Sequence, residues 1–214
     1  MKLSELEEGS ELSLVERYIV GLKKAYMERG GESKWNTFEV VVEGAPEEQL
    51  RIIQELYPKV PNSLLELLRY VDGTYYREYK GHKILLYFLG SNLEEYPYYL
   101  LSSQEIIENQ MEATEYYSEY VNREFDPEDV WMDDKIIDNA EKMKWLHFSD
   151  CMNNGGTSQL FLDFSPSKSG KVGQVVMYVH DPDRMEVIAD SFDAYLEKMI
   201  RGEFDFINEE WMDE

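Results

Sequence analysis

The chain has 214 residues, 43% of them hydrophobic, so it is long and apolar enough to bury a core as a single domain. It carries 44 acidic residues against 21 basic ones, and the resulting net charge of −23 disfavours direct binding to nucleic acids or anionic membranes. The one cysteine, Cys151, excludes an internal disulfide. Because neither a run of about 20 apolar residues nor a basic, apolar leader is present, we predict a cytoplasmic protein.

The first predicted element is a helix within an N-terminal extension, residues 1–34. Ser13 and Glu16 fit a capping box at its start, and Gly30-Gly31 marks its end. Residues 38–42 are aromatic and β-branched, and the pattern leaves open whether they form a short strand or the end of a helix.

A helical hairpin and a β-hairpin are predicted next. Pro46 and Pro61 each open a short amphipathic helix, and Asp72-Gly73 ends the second one. Residues 83–89 read as a strand, which pairs with a weaker strand at residues 75–79.

A longer helix is predicted to begin at Ser102, where Glu105 completes a second capping box. Its pattern continues until Asp126-Pro127 breaks it, and residues 132–141 are predicted to be helical again. This region includes an acidic–aromatic segment, Glu112–Asp134, with nine acidic residues, one basic residue and five aromatic residues.

The last third of the chain predicts a β-meander closed by a helix. Turn-rich segments separate its four apolar runs, which are residues 145–148, 160–164, 175–179 and 185–189. Asp190 or Ser191 caps the closing helix. Residues 203–214 carry six acids and no bases, and we expect this acidic tail to be disordered.

Two groups of motifs resemble the SUKH superfamily, which is named after the fungal cell-wall-synthesis regulators it contains. The first group leads from an acid-rich helix start through Val60-Pro61 to Asp72-Gly73, with valine where leucine is usual. The second group follows the meander and comprises residues 145–148, 154–156, 160–164, 173–176 and 190–196. Together the motifs cover about residues 35–200, and their order and spacing carry the resemblance more than any single motif.

The resemblance implies an α+β fold, in which a bent, mostly antiparallel sheet is flanked by helices. We therefore expect one SUKH-like domain over residues 1–214. Bacterial members of the superfamily look like immunity proteins that neutralise toxins, often nucleases, whereas others act as intracellular regulators or adaptors. The family is a binding fold, so it implies no catalytic residues.

A search for catalytic and metal-binding motifs agrees with a non-enzymatic protein. No hydrolase, metalloprotease, dinucleotide-binding or redox motif is present, and we predict no cofactor. Residues 167–171 resemble a phosphate-binding loop only superficially and are better explained as a turn. His180, Asp181 and Asp183 offer metal ligands, but a turn between two strands accounts for them more simply. A metal-assisted hydrolase is the weakest of the functions considered.

The acidic–aromatic segment is the best candidate for a working surface. Carboxylates attract a basic protein, and Tyr and Trp provide rigid contact area, so we predict an immunity or antitoxin protein that binds a basic, nuclease-type toxin. The predicted partner-binding residues are Glu112, Glu115, Tyr116, Glu119, Glu124, Asp126, Glu128, Asp129, Trp131, Asp133 and Asp134.

Several alternatives stay open at this point. The aromatic residues of the segment could face the core while its acids form a solvated face, and the net charge could serve solubility alone. An intracellular regulator or scaffold without a toxin partner is the alternative function. The sequence does not decide whether the protein forms homo-oligomers.

Overall fold

The structure is a computed structural model that describes residues 2, 11–91, 97–152 and 157–208. Within these residues lie seven α-helices and eight β-strands. The helices are α1 (Leu14–Glu28), α2 (Glu32–Val41), α3 (Glu47–Leu56), α4 (Asn62–Tyr70), α5 (Ser103–Glu108), α6 (Glu112–Val121) and α7 (Phe192–Arg201). The strands are β1 (Arg77–Tyr79), β2 (His82–Ile84), β3 (Tyr99–Leu100), β4 (Trp131–Met132), β5 (Trp145–Met152), β6 (Thr157–Asp163), β7 (Gln174–Val179) and β8 (Arg184–Ala189).

Six strands form one mixed sheet in the order β3-β5-β6-β7-β8-β4, while β1 and β2 form a separate hairpin. Neighbours in the sheet are antiparallel except for β4, which runs parallel to β8. The predicted meander is confirmed as β5 to β8 and the α+β fold class with it, although turn residues 153–156 lie outside the described residues. Ser191, one of the two predicted caps, accepts a hydrogen bond from the Ala194 amide at the start of α7.

The central strands are buried on both faces, which explains their nearly continuous apolar sequences. All six positions of β7 are buried. Val175, Met177 and Val179 face a large core that includes α1 to α4 and α7. Val176 and Tyr178 face a smaller core on the opposite side, which α6 covers. Alternation of side chains along the strand therefore divides the protein into two layers of helices around one sheet.

One row of directly paired residues crosses the sheet from edge to edge. It runs through Tyr99, Asp150, Gln159, Tyr178, Met185 and Met132. Paired residues in neighbouring strands project to the same face, so the row lies on the α6 side of the sheet. Tyr117 of α6 covers its middle, since its ring centre lies 4.6 Å from that of Tyr178. The ends of the row are at the two edge strands, β3 and β4.

The N-terminal extension and the start of the acidic tail pack together instead of extending into solvent. α1 lies against α7, and Phe204, Phe206 and Ile207 are buried beside it. The Arg29 guanidinium, at the end of α1, donates to the carbonyl oxygens of Phe204 and Ile207 at 2.5 and 2.9 Å. The prediction of disorder is therefore wrong for residues 203–208, because the apolar residues among the acids pack into the core. Residues 209–214 lie outside the described residues.

The helix starts at Ser13 and Ser102 are confirmed, since both capping boxes are formed. Other predicted boundaries need correction. Residues 38–41 end a helix, α2, which settles the open alternative, and the strand predicted at residues 83–89 is limited to β2.

The region after Ser102 also differs from the prediction. The long helix is interrupted at residues 109–111 by a 3-10 turn, so that α5 and α6 are separate. The helix predicted at residues 132–141 is absent. Trp131 and Met132 pair with β8 instead, and a short 3-10 turn follows at Ala140–Lys142. A pairing partner more than 50 positions away in the chain leaves no trace in local periodicity.

Candidate protein-binding surface

Helix α6 is held on the sheet by its apolar side, and this places its acidic side outward. Ala113, Tyr117 and Val121 are buried at helical spacing in the smaller core. The Tyr117 hydroxyl donates to Oε1 of Gln159, a residue of the cross-strand row. A tyrosine hydroxyl buried in this way needs a polar partner, and Gln159 provides it. Tyr117 is therefore a core residue, as one of the open alternatives for the aromatic residues allowed.

The first residue of α6, Glu112, is tied to a buried histidine. Glu112 Oε2 lies 2.9 Å from Nδ1 of His147, and Nε2 of the same ring lies 3.0 Å from the Ser149 carbonyl oxygen. Asn109 Nδ2 lies 3.1 Å from the same Nδ1 atom, so the ring contacts both Glu112 and Asn109 on this side. The hydrogen bond from His147 lowers the pKa of the Glu112 carboxyl, against the opposing effect of burial.

The structure places nine of the eleven predicted partner-binding residues on the exposed surface. The exposed residues are Glu115, Tyr116, Glu119, Glu124, Asp126, Glu128, Asp129, Trp131 and Asp134. Glu112 and Asp133 are only partly exposed, and both make internal contacts. Asp133 accepts hydrogen bonds from the Lys135 amide at 2.9 Å and the Val187 amide at 3.2 Å. We call the nine exposed residues, together with Phe125, the acidic–aromatic surface.

Three large aromatic side chains stand out in this surface. Tyr116 is 68% exposed, Trp131 is 51% exposed and Phe125 is 39% exposed. Side chains of this size are normally more deeply buried, and Tyr and Trp are enriched at the centres of protein interfaces. Trp131 also lines an open cleft of about 440 Å³ that includes two prolines, Pro127 and Pro182.

The rim of this cleft is mainly acidic. Glu128, Asp129 and Glu186 contribute carboxylates, and Arg184 is the one basic residue that lines it. An aromatic wall with several carboxylates suits the basic and apolar side chains of a protein partner.

A polar cluster anchors the C-terminal half of α6 to the turn between β7 and β8. Asp183 accepts hydrogen bonds from the Tyr120 hydroxyl at 2.7 Å and the Tyr178 hydroxyl at 3.2 Å, and His180 pairs with the same carboxylate. Burial opposes ionisation of Asp183, but these hydrogen bonds outweigh it and lower its pKa. The Asp183 carboxylate thus organises the turn, in agreement with the simpler interpretation of His180, Asp181 and Asp183.

Arg123, the one basic residue of Glu112–Asp134, is exposed, but its guanidinium is bonded to backbone carbonyl oxygens. Its backbone adopts a left-handed conformation at the end of α6, with φ of 59°. The guanidinium donates to the carbonyl oxygens of Val121 at 3.1 Å and Ile136 at 3.2 Å, with longer bonds to those of Tyr120 and Asp133. It therefore closes the base of the loop that presents residues 124–131.

The described residues contain no group of three or more His, Cys, Asp or Glu side chains that could hold a metal ion. Cys151 is buried, and burial raises the pKa of its thiol to about 12, which makes it a poor nucleophile. Residues 167–171 form a turn in which the Ser167 and Ser169 hydroxyls donate to the Asp134 carbonyl oxygen at 2.7 and 3.1 Å. These hydroxyls therefore fix the turn to the segment at Asp134.

A comparison with protein families matches residues 44–198 to the SMI1 / KNR4 family (SUKH-1). The chain belongs to this family. SUKH proteins bind partner proteins and act as immunity or regulatory proteins, and this supports a role of the same kind for the present chain. They are known in these roles rather than as enzymes. A comparison with curated proteins found no significant match.

The Asp-Gly motif that carries part of the SUKH resemblance has an architectural role. Asp72 is buried, and its carboxylate accepts hydrogen bonds from the Ser103 amide at 2.7 Å and from Arg77 at 2.7 Å. Gly73 has a φ of +93°, and a Cβ atom there would lie 2.8 Å from the Ser102 amide nitrogen. The motif therefore joins the end of α4 to the start of α5.

The SUKH match also omits parts of the core. α1, α2 and residues 203–207 lie outside residues 44–198 but contribute many of its aromatic side chains. Among the described residues, no helix is long and apolar enough to cross a membrane.

Proposed function

We propose that this SUKH protein is a cytoplasmic immunity protein that neutralises a basic toxin by stoichiometric binding. The acidic–aromatic surface makes the contact. A nuclease toxin is the partner that fits best, because a nuclease needs a cationic cleft for its substrate, and an acidic plug competes for that cleft.

The observation that carries this proposal is the combination of exposed carboxylates and exposed aromatic rings on one firmly held segment. Electrostatic attraction accelerates the encounter, while Tyr116 and Trp131 supply contact area at a low cost in side-chain entropy. Hydrogen bonds of Arg123 and Asp183 hold the loop and helix α6 in place. The surface therefore has little conformational freedom to lose on binding.

A rescue experiment tests the proposal. A basic protein encoded next to this chain's gene is expressed in a sensitive host with and without this protein, and viability is counted. We expect co-expression to restore growth, and we expect the purified pair to form a one-to-one complex in light scattering. A toxin whose lethality is unchanged at matched expression, or neighbours that are not toxic at all, would point to a regulatory role.

A further inference from the structure

Four tyrosine rings contact one another in a continuous series at the β3 edge of the sheet, outside the acidic–aromatic surface. One pair meets edge to face and two pairs are tilted, and we call the four rings the tyrosine stack. Ring centres are separated by 5.0 Å for Tyr76 and Tyr75, 4.8 Å for Tyr75 and Tyr99, and 5.1 Å for Tyr99 and Tyr87. These separations are typical of favourable aromatic pairs. Tyr76 is 52% exposed, whereas Tyr99 is buried, so the stack leads from solvent into the protein.

The outer ring of the stack is held in place. Tyr76 has a φ of 49°, a left-handed backbone conformation that a tyrosine seldom adopts. Its ring meets Tyr75 on one side, and the Lys83 ammonium lies 4.4 Å from its centre. At the other end of the series, the Tyr26 hydroxyl donates to the Tyr87 carbonyl oxygen at 2.9 Å. Non-glycine residues in such conformations are concentrated at functional sites, and a prearranged aromatic ring is a good binding anchor.

Asp150 lies next to this stack, because it is the direct partner of Tyr99 in the pairing of β3 with β5. Its Oδ2 accepts a weak hydrogen bond from Gln159 at 3.4 Å, but its buried Oδ1 has no donor among the described residues. Burial raises the pKa of Asp150, and the charge of Asp150 adds to the effect of burial in raising the pKa of Tyr75. A buried carboxylate oxygen without a donor is costly, and a positively charged donor would relieve that cost.

We propose that the tyrosine stack and Asp150 form a second protein-binding site, which takes an arginine side chain of a basic partner. A guanidinium stacks on aromatic faces and donates to carboxylates in the same plane, and the site offers both. Arg77 does not occupy this role, because its guanidinium is paired with Asp72 at 2.7 Å. The inference that the arginine belongs to a basic protein rests on the proposed function. The inference that the site binds a cation does not.

The site is tested with a small probe, so that no partner is needed. N-acetyl-arginine amide is titrated into the isotopically labelled full chain, and backbone amide shifts are followed by NMR. Its neutral isostere, N-acetyl-citrulline amide, serves as the control. We expect saturable shifts at residues 75, 76, 99 and 150 with the arginine probe, and binding at least about tenfold weaker for citrulline.

Two variants locate the interaction. Asp150→Asn removes the charge while keeping the shape, and Tyr76→Asn removes the ring while keeping a residue that tolerates the left-handed backbone. Each is expected to weaken arginine binding about tenfold, whereas Val172→Ala, which alters an exposed side chain outside both proposed sites, leaves it unchanged. Equal shifts from citrulline, undiminished binding by Asp150→Asn, or shifts confined to residues 112–134 would overturn the site. None of these outcomes would affect the rescue experiment, which separates the two proposals.

Discussion

Asp163 and Glu112 are both partly or fully withdrawn from water, yet their environments act on them in opposite directions. Burial raises the pKa of the Asp163 carboxyl to about 6, although hydrogen bonds from Ser165 and Gln174 favour its ionised form. For Glu112, the hydrogen bond from His147 outweighs burial and lowers the pKa. The sign of each shift determines how stability changes with pH.

Replacing Asp163 with asparagine should change the pH dependence of stability. A raised pKa in the folded state means that the Asp163 contribution is complete below pH 4 and is lost as the pH rises through about 6. This loss corresponds to about 3 kcal/mol. Between pH 4 and pH 7 the unaltered protein should lose this stability, whereas Asp163→Asn should not. Urea denaturation at the two pH values measures the difference. Parallel pH profiles for the two proteins would contradict this.

The hydrogen bond between Glu112 and His147 should stabilise the protein more at neutral pH than in acid. The lowered pKa of Glu112 means that its contribution is present above its unfolded-state value and is lost as the pH falls through the folded-state value. His147→Gln leaves the Glu112 carboxylate without the hydrogen bond from the imidazole, and we expect a loss of about 1–3 kcal/mol at pH 7. The loss should shrink in acid, where Glu112 is protonated. A loss that is equally large at pH 3.5 would mean that packing, and not charge, is responsible.

At the scale of elements, the contact between α1 and residues 203–207 requires a glycine inside a helix. A Cβ atom on Gly21 would lie 2.5 Å from the Phe204 ring. Helix propensity alone predicts that Gly21→Ala stabilises α1 by about 1 kcal/mol, but the clash predicts a net loss of about 1–3 kcal/mol. Thermal unfolding distinguishes the two. Combining Gly21→Ala with Phe204→Leu should recover part of the loss, and a more stable single variant would argue against the contact.

The loop of the acidic–aromatic surface depends on Arg123. Lysine at this position keeps the charge, but it cannot bond carbonyl oxygens on both sides of the loop, as the guanidinium does. We expect Arg123→Lys to cost only about 1 kcal/mol, because Arg123 is exposed, and to speed amide exchange in residues 124–132. Arg51→Lys, which alters an exposed ion pair on α3, is the control and should leave exchange unchanged. Unaltered exchange in Arg123→Lys would remove Arg123 from this role.

The elements that the sequence predicts well are those with local causes. Capping boxes at Ser13 and Ser102 involve residues three positions apart, and the meander has a regular alternation of apolar runs and turns. Elements that depend on distant partners were missed. β4 exists because β8 offers an edge, and Phe204 is ordered because α1 presents Gly21.

The same distinction applies to the candidate sites. The acidic–aromatic surface is continuous in sequence, so its composition revealed it. The tyrosine stack joins Tyr75, Tyr76, Tyr87 and Tyr99 from separate segments, and its carboxylate, Asp150, comes from β5. Neither the spacing of these residues in the sequence nor their types indicates that they are neighbours, so the cluster could be found only from the fold.

For the molecule as a whole, the charge of −23 predicts fast and salt-dependent association with a basic partner. Neutralising Glu124, Asp126, Glu128 and Asp129 to their amides should slow association about tenfold at low ionic strength and flatten its salt dependence. Stopped-flow or surface-plasmon kinetics with the toxin from the rescue experiment provide the measurement.

A matched variant separates local charge from total charge. Amides at Glu32, Glu48, Glu55 and Asp205 change the net charge equally on exposed residues elsewhere on the surface. We expect this variant to associate almost as fast as the unaltered protein. If both variants slow association to the same extent, the net charge matters and the acidic–aromatic surface does not.

The row that crosses the sheet from Tyr99 to Met132 also sets the smallest size of a partner that can contact both proposed sites. It spans six strands, and five interstrand steps amount to about 24 Å. Tyr99 belongs to the tyrosine stack at one end, and Met132 follows Trp131 of the acidic–aromatic surface at the other. A short peptide can reach only one end, whereas a folded domain of ordinary diameter can bridge both. A requirement that both sites be occupied at once would then select folded domains over short peptides.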